Sequence, residues 1–434
     1  MKLIPRRHLA LWICSVLLGS MLLAMGLGRA IYRSPAQAAS SQTYAQLRLL
    51  MEALYEVENK YVGDEQDTSL IYGAIRGMVM SLDPTSSFLT PPAYQEMLAG
   101  NQVPIGEMGV ELTFKDKVLT VVAPLEGGPA WQAGIKAGDH ILKINDEMVR
   151  NMTALEAAKR LQGPPGSTIK MQIIRNGMIK PQDVTITLEK LSPVTVNHYI
   201  LEHDYGYLRL KHFNDQTAKE LESAVKDLDK RRPPLKGLIL DLRNTAGGSL
   251  DQAIAVASVF IGNSMVFYTK GRHQEQPQPQ YGQKMPQALK NLPLVVLVDG
   301  GTARAAEILA GALKDQQHAV LLGFKTFGNG AVHKVFPLKD GSALIITVAQ
   351  CYTPNGQIIQ DKGLEPNIVG ITNGHSENEE FEVELELKKP QEITNAQDLL
   401  KDPLITQALK LLGQGGSPDL VKSSSDPTAG TPPK

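Results

Sequence analysis

The chain has 434 residues, 42% of them hydrophobic, which allows substantial buried cores and implies two or three domains. A formal net charge of -1 exerts no long-range pull on nucleic acid or anionic lipid, so composition argues against a nucleic-acid partner. Lys and Arg are interspersed with Asp and Glu, the pattern of a solvated surface.

At the N-terminus, Lys2, Arg6 and Arg7 precede an apolar run from Leu9 to about Leu27, and Ala36-Gln37-Ala38 supplies a small-x-small cleavage signal. Residues 1–38 therefore read as an export segment, either a cleaved signal peptide or an uncleaved inner-membrane anchor over residues 9–28. Either way the body is expected outside the cytoplasm, in the periplasm or its equivalent, with membrane contact only through this segment. Cys14 lies in the apolar run. Cys351 is the only cysteine of the exported part, so no intramolecular disulfide can form there, and its apolar surroundings predict a packed thiol.

Helical stripes follow over Tyr44 to Tyr61 (Leu47, Leu50, Met51, Leu54, Val57) and Leu70 to Leu82, ending at Asp83-Pro84. They make residues 40–102 a helical lead-in. From Val103 to Leu191 the texture changes to short β-runs, with a glycine-bounded helix at Gly128-Pro129-Ala130-Trp131-Gln132-Ala133-Gly134. From Ser192 to about residue 375, strand signals at Tyr207–Leu210, Gly237–Leu242, Leu294–Val298 and Ala319–Gly323 alternate with helices over 217–231, 249–261 and 307–313, a β-α-β core. Arg272 to Gln283, rich in Gln and Pro, reads as an exposed loop. Residues 376–434 read as an acidic stretch, a helix from Ala396 to Leu412 and a disordered Gly, Ser and Pro tail. The fold class is thus α/β and multidomain.

Several of these segments resemble a known family. Pro129-Ala130-x-x-Ala133-Gly134-x-x-x-Gly138-Asp139 and its flanking strands resemble a PDZ domain over 103–191. That resemblance implies a peptide added as a strand, with Gly106, Glu107, Met108, Gly109 and Val110 forming the loop that takes a terminal carboxylate. Gly300–Ile308, Lys325–His333, Ser81–Leu89, Asp241–Gly248, Tyr352–Gly356 and Gln360–Pro366 together resemble the carboxyl-terminal processing peptidases. These tail-specific proteases use a serine nucleophile and a lysine base. The resemblance implies a core of the ClpP/crotonase kind, no cofactor, and as partners polypeptide C-termini or unfolded segments, with an active paralogous protease or a second copy as further candidates.

Aligned on Glu307-Ile308, Asp315 and Thr326-Phe327-Gly328, the serine position holds Arg304 and the lysine position Asn329, the family's interval of 25 (329 minus 304) being kept. The family's assisting glutamine corresponds to His333. The oxyanion donors correspond to Gly247, Gly248 and Ala305, with Thr245 and Ala246 in place of the usual Asn-Pro. Arginine carries no hydroxyl and stays protonated, and a carboxamide is no base. The expectation is a pseudoprotease that binds peptides. Arg304 is expected either to suit a substrate carboxylate or else simply to point into solvent or pair with a nearby acid such as Glu307.

The alternative is an active serine-type endopeptidase with Thr302 or Ser249 as nucleophile and His333 or Lys325 as base. The ordinary roles of Ser249 and Thr302 are helix N-caps, and Lys325 reads as a surface residue. The scattered His198, His203, His212, His318 and His333 form no ligand motif, so no metal is expected.

Overall fold

The computed structural model describes residues 41–63, 67–99, 106–115, 118–152, 154–191, 194–272, 276–285, 289, 292–316, 319–371 and 395–414. The export segment with Cys14, Val103, His318, the acidic stretch 376–394 and the tail 415–434 lie outside the described residues. Among the described residues no helix is long and apolar enough to cross a membrane.

The chain divides into two compact units at residues 74 and 75. The first holds the helix Ser41–Lys60 and the opening turns of the helix Asp67–Met80. The stripe Leu47, Leu50, Met51 and Val57 is exposed, so among the described residues no core forms around it.

In the second unit, Val110–Lys115, Val118–Pro124, His140–Ile144, Thr168–Ile174 and Gln182–Thr187 form an antiparallel sheet in that spatial order. Leu119, Val121, Ile141, Ile144, Met171 and Ile173 are almost fully buried beneath it. Asp139 is buried against the Arg175 guanidinium at 2.6 Å and accepts the Lys136 N–H, so the Gly138-Asp139 turn is held by charge as well as by backbone. Among the described residues the Val110–Lys115 strand pairs with Val118–Pro124 alone, and the sheet ends there. That leaves its outer edge facing the helix Ala154–Arg160.

The second sheet has the order Val196–Ile200, Tyr205–Leu210, Gly237–Asp241, Leu294–Val298, Val320–Gly323 and Ile368–Val369. Every pairing after the first is parallel. Its central strands read as unbroken apolar runs because both faces are covered. Leu238, Leu240, Leu294, Val296 and Val298 pack on the helices Thr217–Asp229, Leu250–Ile261 and Ala305–Gln316. Ile239, Val295 and Leu297 on the alternate face meet Leu404, Ile405, Ala408 and Leu412. Those four belong to the helix Pro403–Gly413, so the expected Ala396–Leu412 helix is two helices, Ala396–Leu399 and Pro403–Gly413. Pro403 cannot continue a helix, and Asp402 caps the new one by accepting the Leu404 N–H.

A third, antiparallel sheet joins Ser87–Leu89, Ala343–Tyr352, Met265–Gly271 and Gln278–Tyr281, with Ala331–Pro337 also on Ala343–Tyr352. The Gln- and Pro-rich stretch expected as a loop thus contributes a strand. Pro279 is tolerated because Gln278–Tyr281 is an edge strand and needs no donor on its outer side.

At the carboxyl end of Gly237–Asp241, the buried Asp241 is gripped by Arg243, whose Nη2 lies 2.6 Å away and whose Nη1 reaches Asp402 at 2.7 Å. Tyr207 donates its hydroxyl to Asp241 at 2.9 Å. Burial alone would raise the Asp241 carboxyl, but Arg243 and Arg209 outweigh it and hold the group at about 2 against an ordinary 3.8. A depressed acid stabilises the fold above its unfolded value and ceases to do so as pH falls through the folded one, so this contribution of roughly 2 kcal/mol fades between pH 4 and 2. Arg243→Gln is expected to cost roughly 3 kcal/mol at pH 7 by urea unfolding. The gap from the unmodified protein should narrow as pH approaches 2.

Candidate functional site

The strand Leu294–Val298 runs into the turn 299–304 and then the helix Ala305–Gln316. Asp299 Oδ1 accepts the N–H groups of Asn244 at 2.8 Å and Gly301 at 3.0 Å, tying this turn to the one after Gly237–Asp241. Gly301 must be glycine: a Cβ there would lie 2.6 Å from Asn244 Oδ1 and 2.9 Å from its Cα. Thr302 is fully buried and donates its hydroxyl to the Leu242 carbonyl at 2.8 Å. It is neither the expected N-cap nor an available nucleophile. The N-cap position is Arg304, with φ of 55° in the left-handed region, and the N–H of Arg304 is taken by Glu307 from the third helical position at 3.2 Å.

Glu307 organises the site. Fully buried, it accepts the Thr326 hydroxyl at 2.5 Å and the Gly328 N–H at 2.7 Å on one oxygen. The Asn329 N–H at 2.8 Å and the Arg304 N–H share the other. Burial raises its carboxyl above the ordinary value, and the hydrogen bonds from Thr326, Asn329, Gly328 and Arg304 only partly offset this. One side chain therefore sets the backbone at both Arg304 and Asn329. Arg304, Asn329 and His333 line the same cavity of 300 Å³, and also a neighbouring one of 220 Å³ that reaches Gly248, Ser249 and Ala305.

Gly247 and Gly248 both have φ of 80°, and a Cβ on Gly248 would lie 2.5 Å from that of Phe213 and 3.2 Å from that of Ala305. The glycine turn and the start of the Ala305–Gln316 helix are thus in contact. Arg304 does not pair with Glu307 through its side chain. Its Nη1 donates to Glu111 Oε1 at 2.8 Å, a carboxylate from the Val110–Lys115 strand. Glu111 was not singled out in the sequence, although strand alternation with Val110, Leu112 and Phe114 puts it on the opposite face.

His333 Nε2 lies 2.9 Å from the Thr85 hydroxyl, which donates to Asp83 Oδ1 at 2.7 Å. Since Asp83 is held below its ordinary value against the push of burial by hydrogen bonds from Thr85 and Ser86, it is an acceptor, and the proton between Thr85 and His333 comes from the ring. Burial and then the Arg304 charge lower the His333 pKa, with Asp83 opposing, so the ring is neutral at pH 7. Ser249 has its expected capping role, accepting the Gln252 N–H at 3.2 Å in a reciprocal capping box. Lys325 pairs with Glu365 at 2.7 Å on the surface. Burial, then the Glu307 charge, pushes the Cys351 thiol up to about 12, in keeping with a packed residue. Among the described residues no three His, Cys, Asp or Glu side chains form a metal-holding group.

Of the expected carboxylate loop, Gly106-Glu107 pairs with Gln162-Gly163 and the Glu107 N–H goes to Glu189. The Met108 and Gly109 carbonyls accept from Ala130 and Leu125, and Gly109 has φ of 69°. Among the described residues the Met108 and Gly109 N–H groups have no acceptor. Met108 and Gly109 line a 310 Å³ groove with Val110–Leu112 on one side and Ala158, Leu161 and Gln162 on the other.

Glu307→Ala would strand four donors and is expected to cost roughly 3 kcal/mol in urea unfolding; Glu307→Gln, keeping one carbonyl acceptor, should cost about half of that. A loss below about 1 kcal/mol for Glu307→Ala would show that the hub does not hold the turn.

Residues 204–369 match the family model for peptidase family S41, and residues 120–175 match one for a PDZ domain. A carboxy-terminal-processing protease of Bartonella bacilliformis is 38% identical over 329 residues, covering 75% of this chain and 75% of its own. The carboxy-terminal processing protease CtpA of Bacillus subtilis is 33% identical over 323 residues, 74% of this chain and 68% of its own. Among solved structures, a photosystem II D1 C-terminal processing protease superposes with a TM-score of 0.63 at 28% identity, covering 76% of this chain and 93% of that one. With a PDZ domain set beside an S41 core, the chain belongs to the carboxy-terminal-processing proteases of peptidase family S41.

Proposed function

We propose that this chain is a pseudoprotease, an exported member of its family that binds unfolded segments or C-termini of polypeptides through its PDZ groove and its cleft without cleaving them. The observation that carries the reading is the pair Arg304 and Asn329 on the walls of one cavity, held there by the backbone bonds of Glu307. Acyl transfer needs a hydroxyl that attacks and a neutral base that takes its proton. A guanidinium and a carboxamide supply neither, and no pKa shift converts them. What remains is binding apparatus: a strand edge and two N–H groups that have no partner among the described residues, and a groove. A second copy or an active paralogue is a partner of the same chemistry, since each presents a C-terminus.

One contact favours a second reading. Thr85 and His333 form a hydroxyl and imidazole pair in the same cavity, which would make an active hydrolase with a relocated nucleophile. Against it, the Thr85 proton points to Asp83 and not to the ring. Thr85 also lies outside the neighbouring cavity that Gly248 and Ala305 line.

A fluorescein-labelled unstructured polypeptide with a free C-terminus is expected to bind saturably and to be recovered at unchanged mass after overnight incubation. Ala158→Phe, which fills the groove, should weaken binding at least tenfold without shifting the melting temperature appreciably. Cleavage that disappears in Thr85→Val and His333→Ala would replace this reading with the second one.

A further inference from the structure

The Val110–Lys115 strand shows two faces to two different places. Val110, Leu112 and Phe114 pack on the PDZ core. On the other face, Lys115 Nζ stands 5.3 Å from the centre of the Phe327 ring and Glu111 reaches Arg304. Glu111 thus borders both the peptide groove and the cleft.

The seating of its carboxylate is specific. Oε1 is 2.8 Å from Arg304 Nη1, and Oε2 is 3.2 Å from the point where a Cβ on Gly247 would stand. The carboxylate therefore lies between the guanidinium at the serine position and the first glycine of the oxyanion-like turn. A guanidinium fork is the usual partner of carboxylates, and this one is aimed by a backbone that Glu307 fixes. The pair is also replaceable. The Arg304 and Glu111 side chains are 38% and 29% exposed, and an ion pair open to water is worth little, so a competing carboxylate need overcome only a small difference.

We infer, resting on the peptide-binding reading above, that Arg304 and the Gly247 turn form a receptor for the α-carboxylate of a peptide, and that Glu111 occupies it in the free protein as an internal competitor. The resident carboxylate lowers the apparent affinity by the fraction of time the receptor is filled. Because Glu111 sits on the strand that a peptide would pair with, occupancy of the groove and vacancy of the receptor are linked through one residue.

The test uses the full chain and two labelled eight-residue unstructured peptides, identical except that one ends in a free carboxylate and the other in an amide. Titration by fluorescence anisotropy is expected to show that Glu111→Gln, similar in shape but uncharged, tightens the acid peptide about two- to sixfold, the gain that removal of an exposed ion-pair competitor allows, and leaves the amide peptide unchanged. Adding Arg304→Gln should abolish that gain. Glu111→Asp, a charge one methylene short, should fall between and guards against a folding defect in the first variant. The proposal is overturned if Glu111→Gln leaves the preference for acid over amide unaltered, or if the gain persists without Arg304. Failure of the underlying reading looks different: the peptides would be recovered shortened by mass spectrometry, or would not bind any variant.

Discussion

The buried carboxylate of Glu307 is the constraint on which the site depends. It satisfies backbone donors from the start of the Ala305–Gln316 helix and from the turn 326–329, two segments that no regular ladder connects. A charged group in an apolar surrounding is costly unless each lone pair is used, and here four donors use them. These bonds fix the backbone of Arg304 and Asn329. The core of the S41 family is therefore present, and the proposed loss of proton chemistry rests on the two side chains, Arg304 and Asn329, that these bonds set in it.

Much of the fold was legible because the central strands are buried on both faces. Leu294–Val298 and Gly237–Asp241 read as continuous apolar runs, and the helix after Gly248 announced itself through Ser249 and Gln252. The glycine pair 247–248 was equally visible, because positive φ at consecutive positions leaves few other choices. The placing of Arg304 and Asn329 in one cavity followed from motif spacing, which survives substitution of individual residues.

The rest depended on contacts with no local signature. Arg304 finds its partner Glu111 at a separation of 193 residues, and nothing in the periodicity of either segment shows it. Thr302 has the composition of an N-cap, but the Leu242 carbonyl claims its hydroxyl, so a tertiary hydrogen bond overrides local propensity. Gln278–Tyr281 is polar and contains a proline, and only its place at a sheet edge permits a strand. The Pro403 break divided one apolar stripe into two helices, of which the second packs on the central strands of the parallel sheet. The Thr85 and His333 contact joins the helical lead-in phrase to a strand of the third sheet.

If the chemistry is missing only at two positions, putting it back is the most direct trial. The double variant Arg304→Ser with Asn329→Lys should be compared with the unmodified chain for hydrolysis of one unstructured polypeptide, followed by mass spectrometry. The account predicts intact polypeptide with the unmodified chain and new termini with the variant. Turnover by the unmodified chain at a rate equal to the variant's would contradict it.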